Sequence, residues 1–150
     1  MTALVPPLAP HGDRVMTLDE FVAFGESLGR AARTALPCVI SLAGDLGTGK
    51  TTLTRAIGHG FGVQESVTSP TFALVHEYRA EGHEHLLHLD LYRIKAPHEL
   101  ANIGWETLLT ARALLIIEWP DRAGDLIPPE ALAITLAHVE ADESRRRVTW

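Results

Sequence analysis

The amino-acid sequence predicts an α/β fold with a mainly parallel sheet and antiparallel additions. Two short and almost wholly apolar runs, residues 38–43 and 113–117, are typical of strands that are buried on both faces of a parallel sheet. Segments with strand-like and helix-like spacing of apolar residues alternate through the middle of the chain. A glycine-rich turn joins the first apolar run directly to a predicted helix. Together these observations predict the α/β class.

Length and composition agree with one domain of ordinary size. The chain has 150 residues, of which 46% are hydrophobic and 21% are charged, which excludes a disordered or collagen-like protein. The formal net charge of -6 makes binding to nucleic acid through bulk charge unexpected. Cys38 is the single cysteine, and no stretch approaches the roughly 18 apolar residues of a membrane helix. We therefore expect one cytoplasmic domain over residues 1–150 without membrane contact, in which residues 1–14 form an irregular lead-in.

The first helix is predicted over residues 17–33. Thr17 and Glu20 have the spacing of a capping box, in which each side chain accepts a hydrogen bond from a free backbone N–H group of the other residue. The strand over residues 38–43 follows. The next helix begins at Lys50 and runs to about residue 60, where either Gly60 or Gly62 could supply the C-terminal cap.

The second half of the chain is predicted to add strands and short helices. Besides residues 113–117, strands are predicted over residues 72–78, 86–91, 131–139 and 146–150. Gly82 suggests a hairpin turn between the first two of these, and an acidic turn joins the last two. Pro97 suits the first turn of a helix, and a second short helix is predicted over residues 105–109.

The turn after the first buried strand has the pattern of a phosphate-binding loop. Residues 44–51, GDLGTGKT, fit G-x-x-x-x-G-K-[S/T] at every fixed position, between the strand and the helix that this pattern needs. Backbone N–H groups of such a loop point toward a phosphate chain, and the helix N-terminus adds partial positive charge. The predicted nucleotide-binding residues are Asp45, Leu46, Gly47, Thr48, Gly49, Lys50, Thr51 and Thr52. The strand and helix that flank the pattern agree with the predicted α/β class.

A nucleoside triphosphate with Mg²⁺ also needs a carboxylate at the carboxyl end of a neighbouring strand. Glu118 follows four consecutive apolar residues, whereas Asp90 follows a run that His88 interrupts. Uninterrupted burial favours Glu118 as the carboxylate on the metal, together with the Thr51 hydroxyl. Asp90 would then orient or deprotonate the attacking water or a substrate hydroxyl. With Lys50 on the β and γ phosphates, the predicted catalytic residues are Lys50, Asp90 and Glu118.

The chain resembles the TsaE (YjeE) family of small bacterial ATPases, because it contains several motifs in the order and at about the spacing of that family. They are GDLGTGKTT at residues 44–52, SPTF at 69–72, HLDLYR at 88–93, ELANIGWE at 99–106 and EWP at 118–120. The resemblance implies an α/β domain of the P-loop NTPase type, a three-layer sandwich. It also implies Mg²⁺ and ATP binding and weak intrinsic ATP hydrolysis. It implies a requirement in N6-threonylcarbamoyladenosine (t6A) modification of tRNA, at the adenosine next to the anticodon. It also implies TsaB and TsaD as protein partners, with tRNA reached through that assembly.

The same resemblance implies roles for single residues. Lys50 and Thr51 would hold phosphate and Mg²⁺, Glu118 would serve the metal, and Asp90 would be needed for hydrolysis. A switch-like loop near the γ phosphate would consist of Ser69, Pro70, Thr71 and Phe72. Thr48 stands where the family usually has alanine, which should alter little because backbone N–H groups bind the phosphate. The C-terminal part of the chain matches none of these motifs.

Two other functions stay open at this point. A small-molecule kinase on the same fold would use Asp90 as a base toward a substrate hydroxyl, although no lid-sized basic insertion follows the phosphate loop. A nucleotide-dependent assembly module would bind ATP without essential turnover.

Several side chains have two interpretations each. Arg93 would stabilise phosphate charge or form a salt bridge. Tyr92 and Trp119 would shape the site or a partner surface, or pack in the core. The arginines at residues 145–147 would contact tRNA or form a solvated hairpin, and we favour the hairpin. Four histidines at residues 76, 83, 85 and 88 fit positions on two strands and their turn better than a metal site.

Overall fold

The computed structural model describes residues 11–65, 67 and 74–150. The first half contains strand β1 (Asp13–Thr17), helix α1 (Leu18–Ala32), strand β2 (Cys38–Ala43) and helix α2 (Lys50–Phe61). The second half contains β3 (Val75–Arg79), β4 (His85–Asp90), a 3-10 helix (Pro97–Ile103), α3 (Trp105–Thr110), β5 (Ala113–Glu118), two 3-10 turns (Pro120–Arg122 and Gly124–Leu126), β6 (Leu132–Val139) and β7 (Asp142–Thr149). No helix in these ranges is long and apolar enough to cross a bilayer.

The strands form one mixed sheet in the order β1-β7-β6-β2-β5-β4-β3. The four neighbours β6, β2, β5 and β4 are parallel, and β7, β1 and β3 pair antiparallel at the two sides. This arrangement confirms the predicted α/β class with antiparallel additions. The carboxyl ends of parallel strands share one edge of the sheet, so β2, β4 and β5 all end where the chain leaves β2 for α2.

The structure corrects three predicted boundaries. Asp13 and Arg14, expected in the lead-in, belong to β1, because the strand pairs with β7 over its whole length. Strand β7 begins at Asp142 rather than Arg146, because a two-residue turn with Ala141 at a φ of 62° brings Asp142 opposite Val139. Of the strand predicted over residues 72–78, the first two residues lie outside the described ranges, and β3 begins at Val75.

Helix α1 lies against α2 through two glycines. A β carbon on Gly29 would lie 2.0 Å from the carbonyl oxygen of Ile57, and one on Gly60 would lie 2.0 Å from that of Glu26. Gly60 therefore serves the helix contact, and Gly62, with a φ of 100°, is the C-terminal cap of α2. The helix contact holds α2 in place, and the first turn of α2 carries Lys50 and Thr51.

Local contacts and burial hold the first residues of α1 and of β2. The capping box of α1 is formed as predicted: Glu20 N donates to Thr17 Oγ1 (3.3 Å) and Thr17 N donates to Glu20 Oε1 (3.0 Å). At the start of β2, Cys38 is buried, and burial raises the pKa of its thiol to about 11. The thiol thus stays protonated at neutral pH and acts as an apolar packing group.

Apolar side chains form a cluster on each face of the sheet. One cluster joins α1 and α2 to the sheet and includes Phe21, Leu53, Ile57, Ile40, Ile116 and Leu136. The other joins α3 and the first 3-10 helix to the opposite face and includes Leu100, Trp105, Val39, Leu89, Leu115 and Ile117. The central strand β2 contributes to both clusters. It is therefore held from both sides, which fixes the start of the glycine-rich turn.

Candidate functional site

The glycine-rich turn connects β2 to α2 in a backbone conformation that needs glycine. Gly44, Gly47 and Gly49 have φ values of 151°, 77° and 104°, which side chains rarely tolerate. The Thr48 hydroxyl donates a hydrogen bond to the Asp45 carbonyl oxygen (2.7 Å) and so braces the turn from within. Gly49 has no side chain to cap the first N–H groups of α2. These N–H groups depend on another acceptor, and an anion at this helix end suits them.

The side chain of Lys50 is folded back onto the turn. It is 6% exposed, and its Nζ donates to the carbonyl oxygens of Gly44 (2.5 Å) and Asp45 (3.0 Å). The same nitrogen lies 4.0 Å from the ring centroid of Trp119. Burial lowers the pKa of Lys50, and the carboxylate of Glu118 acts in the opposite direction. The ammonium therefore lies at the mouth of the turn, held by neutral groups that an anion would replace.

The two predicted carboxylates lie side by side. Strands β4 and β5 pair in parallel with Asp90 opposite Glu118, and Glu118 also lies opposite Leu42 of β2. Asp90 Oδ1 accepts a hydrogen bond from the Tyr92 N–H group (3.0 Å). Burial raises the pKa of Asp90, against the effect of that hydrogen bond. A carboxylate with a raised pKa is the better proton acceptor near neutral pH.

Glu118 has a buried partner that sequence reasoning missed. His88 Nε2 lies 2.5 Å from Glu118 Oε2, and the two side chains are 0% and 3% exposed. His88 Nδ1 is buried, and none of the residues that the structure describes forms a hydrogen bond with it. His88 lies two residues before Asp90 on β4, so both face the same side of the sheet. The two-residue spacing in the sequence could have indicated that His88 lies near the site. It could not indicate that Glu118 is its partner, because that contact depends on how β4 pairs with β5.

The predicted groups converge on one cavity of about 330 Å³. Its lining residues are Leu46, Gly47, Gly49, Lys50, Thr51, Thr52, Asp90, Glu118, Trp119 and Arg146. All but two of the residues named from the sequence for phosphate, metal and hydrolysis are among them. The exceptions are Asp45 and Thr48, which hold the turn and the lysine instead. The predicted switch-like loop over residues 69–72 lies outside the described residues.

In the part of the chain that the structure describes, no three His, Cys, Asp or Glu side chains form a metal site by themselves. Thr51 and Glu118 supply one hydroxyl and one buried carboxylate to the cavity. Such hard oxygen donors, few in number, suit Mg²⁺ that carries water and phosphate oxygens as its other ligands. Of the clustered histidines, His76 contacts the Tyr78 hydroxyl (3.3 Å) and His85 contacts Glu77 (2.5 Å).

Arg146 reaches the phosphate loop from the C-terminal hairpin. Its Nε donates to the Thr48 carbonyl oxygen (3.0 Å) and its Nη1 donates to the Glu143 carbonyl oxygen (2.7 Å). Arg145 pairs with Asp142 (3.3 Å), and the Nε of Arg147 lies 2.8 Å from an oxygen of Asp13. The hairpin interpretation therefore holds for Arg145 and Arg147. It is wrong for Arg146, whose half-buried guanidinium turns inward to carbonyl oxygens of the phosphate loop.

Of the two aromatic residues beside the acids, Trp119 lines the cavity and Tyr92 is exposed next to it. Tyr92 and Trp119 have ring centroids 5.0 Å apart, and Trp119, at a φ of 59°, turns its ring over Lys50. Arg93 is exposed, and no contact among the described residues supports either role considered for it.

Comparisons with known proteins identify the family. The family model described as "Threonylcarbamoyl adenosine biosynthesis protein TsaE" matches residues 15–148. Three similar proteins named tRNA threonylcarbamoyladenosine biosynthesis protein TsaE come from Nostoc sp., Haemophilus influenzae and Bacillus subtilis. The Nostoc protein is 40% identical over 114 residues, which is 73% of this chain and 65% of that protein. The Haemophilus influenzae protein is 36% identical over 102 residues, which is 68% of this chain and 64% of that protein. The Bacillus subtilis protein is 34% identical over 112 residues, which is 75% of this chain and 68% of that protein.

The fold comparison agrees. The crystal structure of Bacillus subtilis YdiB aligns with a TM-score of 0.70 at 27% identity, over 93% of this chain and 83% of YdiB. The matched part of the chain spans about two thirds of the length of the three TsaE relatives. Since the family model covers nearly the whole chain, this protein belongs to the TsaE family.

Proposed function

We propose that this chain is a Mg²⁺-dependent ATPase that serves t6A modification of tRNA, together with TsaB and TsaD in the cytoplasm. The observation that carries the proposal is the single cavity in which the glycine-rich turn, Lys50 and Thr51 face Asp90 and Glu118. The proposal is also supported by membership of a family whose members are named for threonylcarbamoyladenosine biosynthesis.

The turn and Lys50 bind the triphosphate in this proposal. Backbone N–H groups of residues 45–52 donate to phosphate oxygens, and the N-terminus of α2 adds its dipole. Lys50 exchanges the carbonyl oxygens of Gly44 and Asp45 for β and γ phosphate oxygens, since an ammonium binds an anionic oxygen more strongly than a neutral carbonyl. Trp119 covers the lysine and excludes water from that side.

Thr51 and Glu118 would hold Mg²⁺, directly or through water, and His88 fixes the orientation of the glutamate. The bound metal would supply positive charge that offsets the charge of the phosphates. Asp90, beside Glu118 on the next strand, orients the attacking water and accepts its proton as the bond from the β–γ bridging oxygen to the γ phosphorus breaks. The residues 69–72 are proposed as a switch-like loop near the γ phosphate.

The test is a reconstitution with TsaB, TsaD and tRNA from the same source, in which phosphate release and t6A are measured together. Wild type should support both. Asp90→Ala should lower the rate of phosphate release about 100-fold or more while ATP still binds, because proton transfer contributes about that much. Asp121→Ala is the matched control, since Asp121 is a nearby exposed acid, and it should behave as wild type.

Two results would contradict this proposal. If radiolabelled γ phosphate appears on an added nucleoside or sugar rather than as inorganic phosphate, the chain is a kinase. If Asp90→Ala releases no phosphate yet supports t6A at the wild-type level, the chain is an assembly module whose turnover is dispensable.

A further inference from the structure

The β6–β7 hairpin extends past the end of the central strand. Strand β2 ends at Ala43, opposite Thr135 of β6, but β6 continues as far as Val139 before the chain turns into β7. A β carbon on Gly44 would lie 2.6 Å from the carbonyl oxygen of Leu136, so the glycine-rich turn begins in contact with the extended part of β6. The hairpin is therefore placed to contact the residues of the turn that follow Gly44.

Two side chains of the hairpin bind three consecutive carbonyl oxygens of the turn. Arg146 donates through Nε to the carbonyl oxygen of Thr48 (3.0 Å) and through Nη2 to that of Gly47 (3.5 Å). His138 Nε2 lies 3.4 Å from the carbonyl oxygen of Leu46, and it donates there because a carbonyl oxygen only accepts. His138 and Arg146 lie opposite each other on β6 and β7. They therefore act on the turn from one place in the hairpin.

These contacts determine which way the peptide groups of the turn face. In a planar trans peptide, the C=O group of one residue and the N–H group of the next point in opposite directions. Since the carbonyl oxygens of Leu46 and Thr48 accept from the hairpin, the N–H groups of Gly47 and Gly49 point away from it. Both glycines line the cavity of the predicted site, and their φ values of 77° and 104° need a residue without a side chain. Two N–H donors of the cavity wall are thus oriented by side chains that lie outside the phosphate-loop pattern.

Lys50 holds the two carbonyl oxygens that precede these three. Its Nζ donates to Gly44 and Asp45, and in the proposed function it exchanges them for phosphate oxygens. The contacts from His138 and Arg146 do not involve Lys50, so nucleotide binding does not require them to break. The hairpin is itself held at its outer side, because β7 pairs with β1 over the whole length of β1.

We propose that His138 and Arg146 are positioning residues for phosphate binding. They hold the turn, before and after the nucleotide arrives, in the conformation that presents the N–H groups of Gly47 and Gly49 to phosphate oxygens. Their effect passes through the backbone, so neither side chain has to touch the nucleotide. The inference rests on the proposed function and adds to it the C-terminal part of the chain, which matches none of the quoted motifs.

The test is isothermal titration calorimetry on the full chain with Mg²⁺–tripolyphosphate, a probe that carries phosphates without a base. Arg146→Met keeps most of the side-chain volume without its N–H groups and should weaken binding about tenfold. His138→Leu removes one longer hydrogen bond and should weaken binding about threefold. Arg146→Lys and His138→Gln each keep an N–H donor and should recover part of the loss.

Arg145→Met and His98→Leu are the matched controls, since both residues are exposed and lie outside the cavity. Both variants should bind tripolyphosphate as wild type does. In the assembly with TsaB, TsaD and tRNA, His138→Leu should raise the KM for ATP about threefold with kcat unchanged, because the two carboxylates of the site are not altered. A defect in folding would instead lower kcat through loss of active protein.

His138 is exposed, so its variants should fold, and they decide the inference by themselves if Arg146→Met does not fold. The inference is overturned if His138→Leu binds tripolyphosphate as wild type does, since a loss confined to Arg146→Met would mean that the arginine contacts phosphate directly. It is also overturned if Arg146→Lys and His138→Gln recover nothing, or if the controls weaken as much. Wild type that binds neither tripolyphosphate nor ATP contradicts the proposed function itself, and this inference with it.

Discussion

Replacing His88 by leucine should destabilise the protein strongly, because it leaves the carboxylate of Glu118 buried without this donor. The two side chains are 0% and 3% exposed, and His88 Nε2 lies 2.5 Å from Glu118 Oε2. Leucine fills a similar volume without an N–H group, so the main loss is the hydrogen bond. Breaking one side of a buried pair of this kind costs about 3–5 kcal/mol.

That loss is a large part of the total stability of a domain, which is about 5–15 kcal/mol. For a chain of this length each kcal/mol lowers the melting temperature by about 2–4 °C, so His88→Leu should melt roughly 6–20 °C below wild type. Differential scanning calorimetry without nucleotide measures the shift. His88→Gln keeps an N–H donor and should lose less. His85→Leu is the control: it lies on the same strand and contacts Glu77, but both side chains are well exposed, so its effect should be below about 1 kcal/mol.

A double variant separates loss of the pair from loss of packing. His88→Leu with Glu118→Met removes both polar groups at similar volume and should recover most of the stability that His88→Leu loses. If His88→Leu melts with wild type, or if the double variant is as unstable as the single one, the glutamate does not depend on the histidine and this reasoning is refuted.

Three further predictions concern the helix contact, the second acid and the hairpin. Gly29→Ala should cost about 1–3 kcal/mol in urea denaturation, because its β carbon would lie 2.0 Å from a backbone oxygen of α2; an unchanged midpoint would contradict the helix contact. Burial raises the pKa of Asp90, so the charged carboxylate destabilises the unliganded fold at a pH above that pKa. This destabilisation is lost as the pH falls and the carboxylate becomes protonated. Asp90→Asn should therefore melt above wild type at pH 7–8, with the difference shrinking toward pH 4, and a gap that stays constant with pH would count against this. Arg146→Ala should weaken binding of ATP and tripolyphosphate alike, about tenfold by calorimetry, because the carbonyl oxygen of Thr48 loses its donor; Arg145→Ala should not, and equal behaviour of the two variants would contradict the role of Arg146.

The sequence predicted the centre of the fold well, for a physical reason. Continuous apolar runs with turn residues on both sides can be buried only as central strands, so residues 38–43 and 113–117 coincide with β2 and β5 to within one residue. The phosphate-loop pattern and the two acids could be assigned to one site in the same way. Parallel strands end at one edge, and the residues that follow them must meet there.

Contacts between distant strands could not be predicted. The bond from His88 to Glu118 joins residues 30 apart and exists because β4 pairs with β5 in one register. The bond from Arg146 to the Thr48 carbonyl oxygen joins residues 98 apart and requires β7 to lie two strands from β2. The spacing of residues along the chain specifies neither the register in which two strands pair nor the order of the strands in the sheet. The hairpin was accordingly interpreted from its charge alone, which is correct for the arginines that face solvent and wrong for the one that faces the loop.

The two contacts that could not be predicted from the sequence have the same role. Each supports a group that the motifs did predict. His88 holds Glu118 from within the sheet, and Arg146 holds the backbone of the glycine-rich turn from the hairpin. The groups proposed to touch the nucleotide are themselves unfavourably placed in the unliganded fold, since burial lowers the pKa of Lys50 and raises that of Asp90. Substitution of Lys50 or Asp90 should thus remove activity at little cost in stability, whereas substitution of His88 should lower stability first. That contrast is what a site built for binding charged phosphate, rather than for folding, requires.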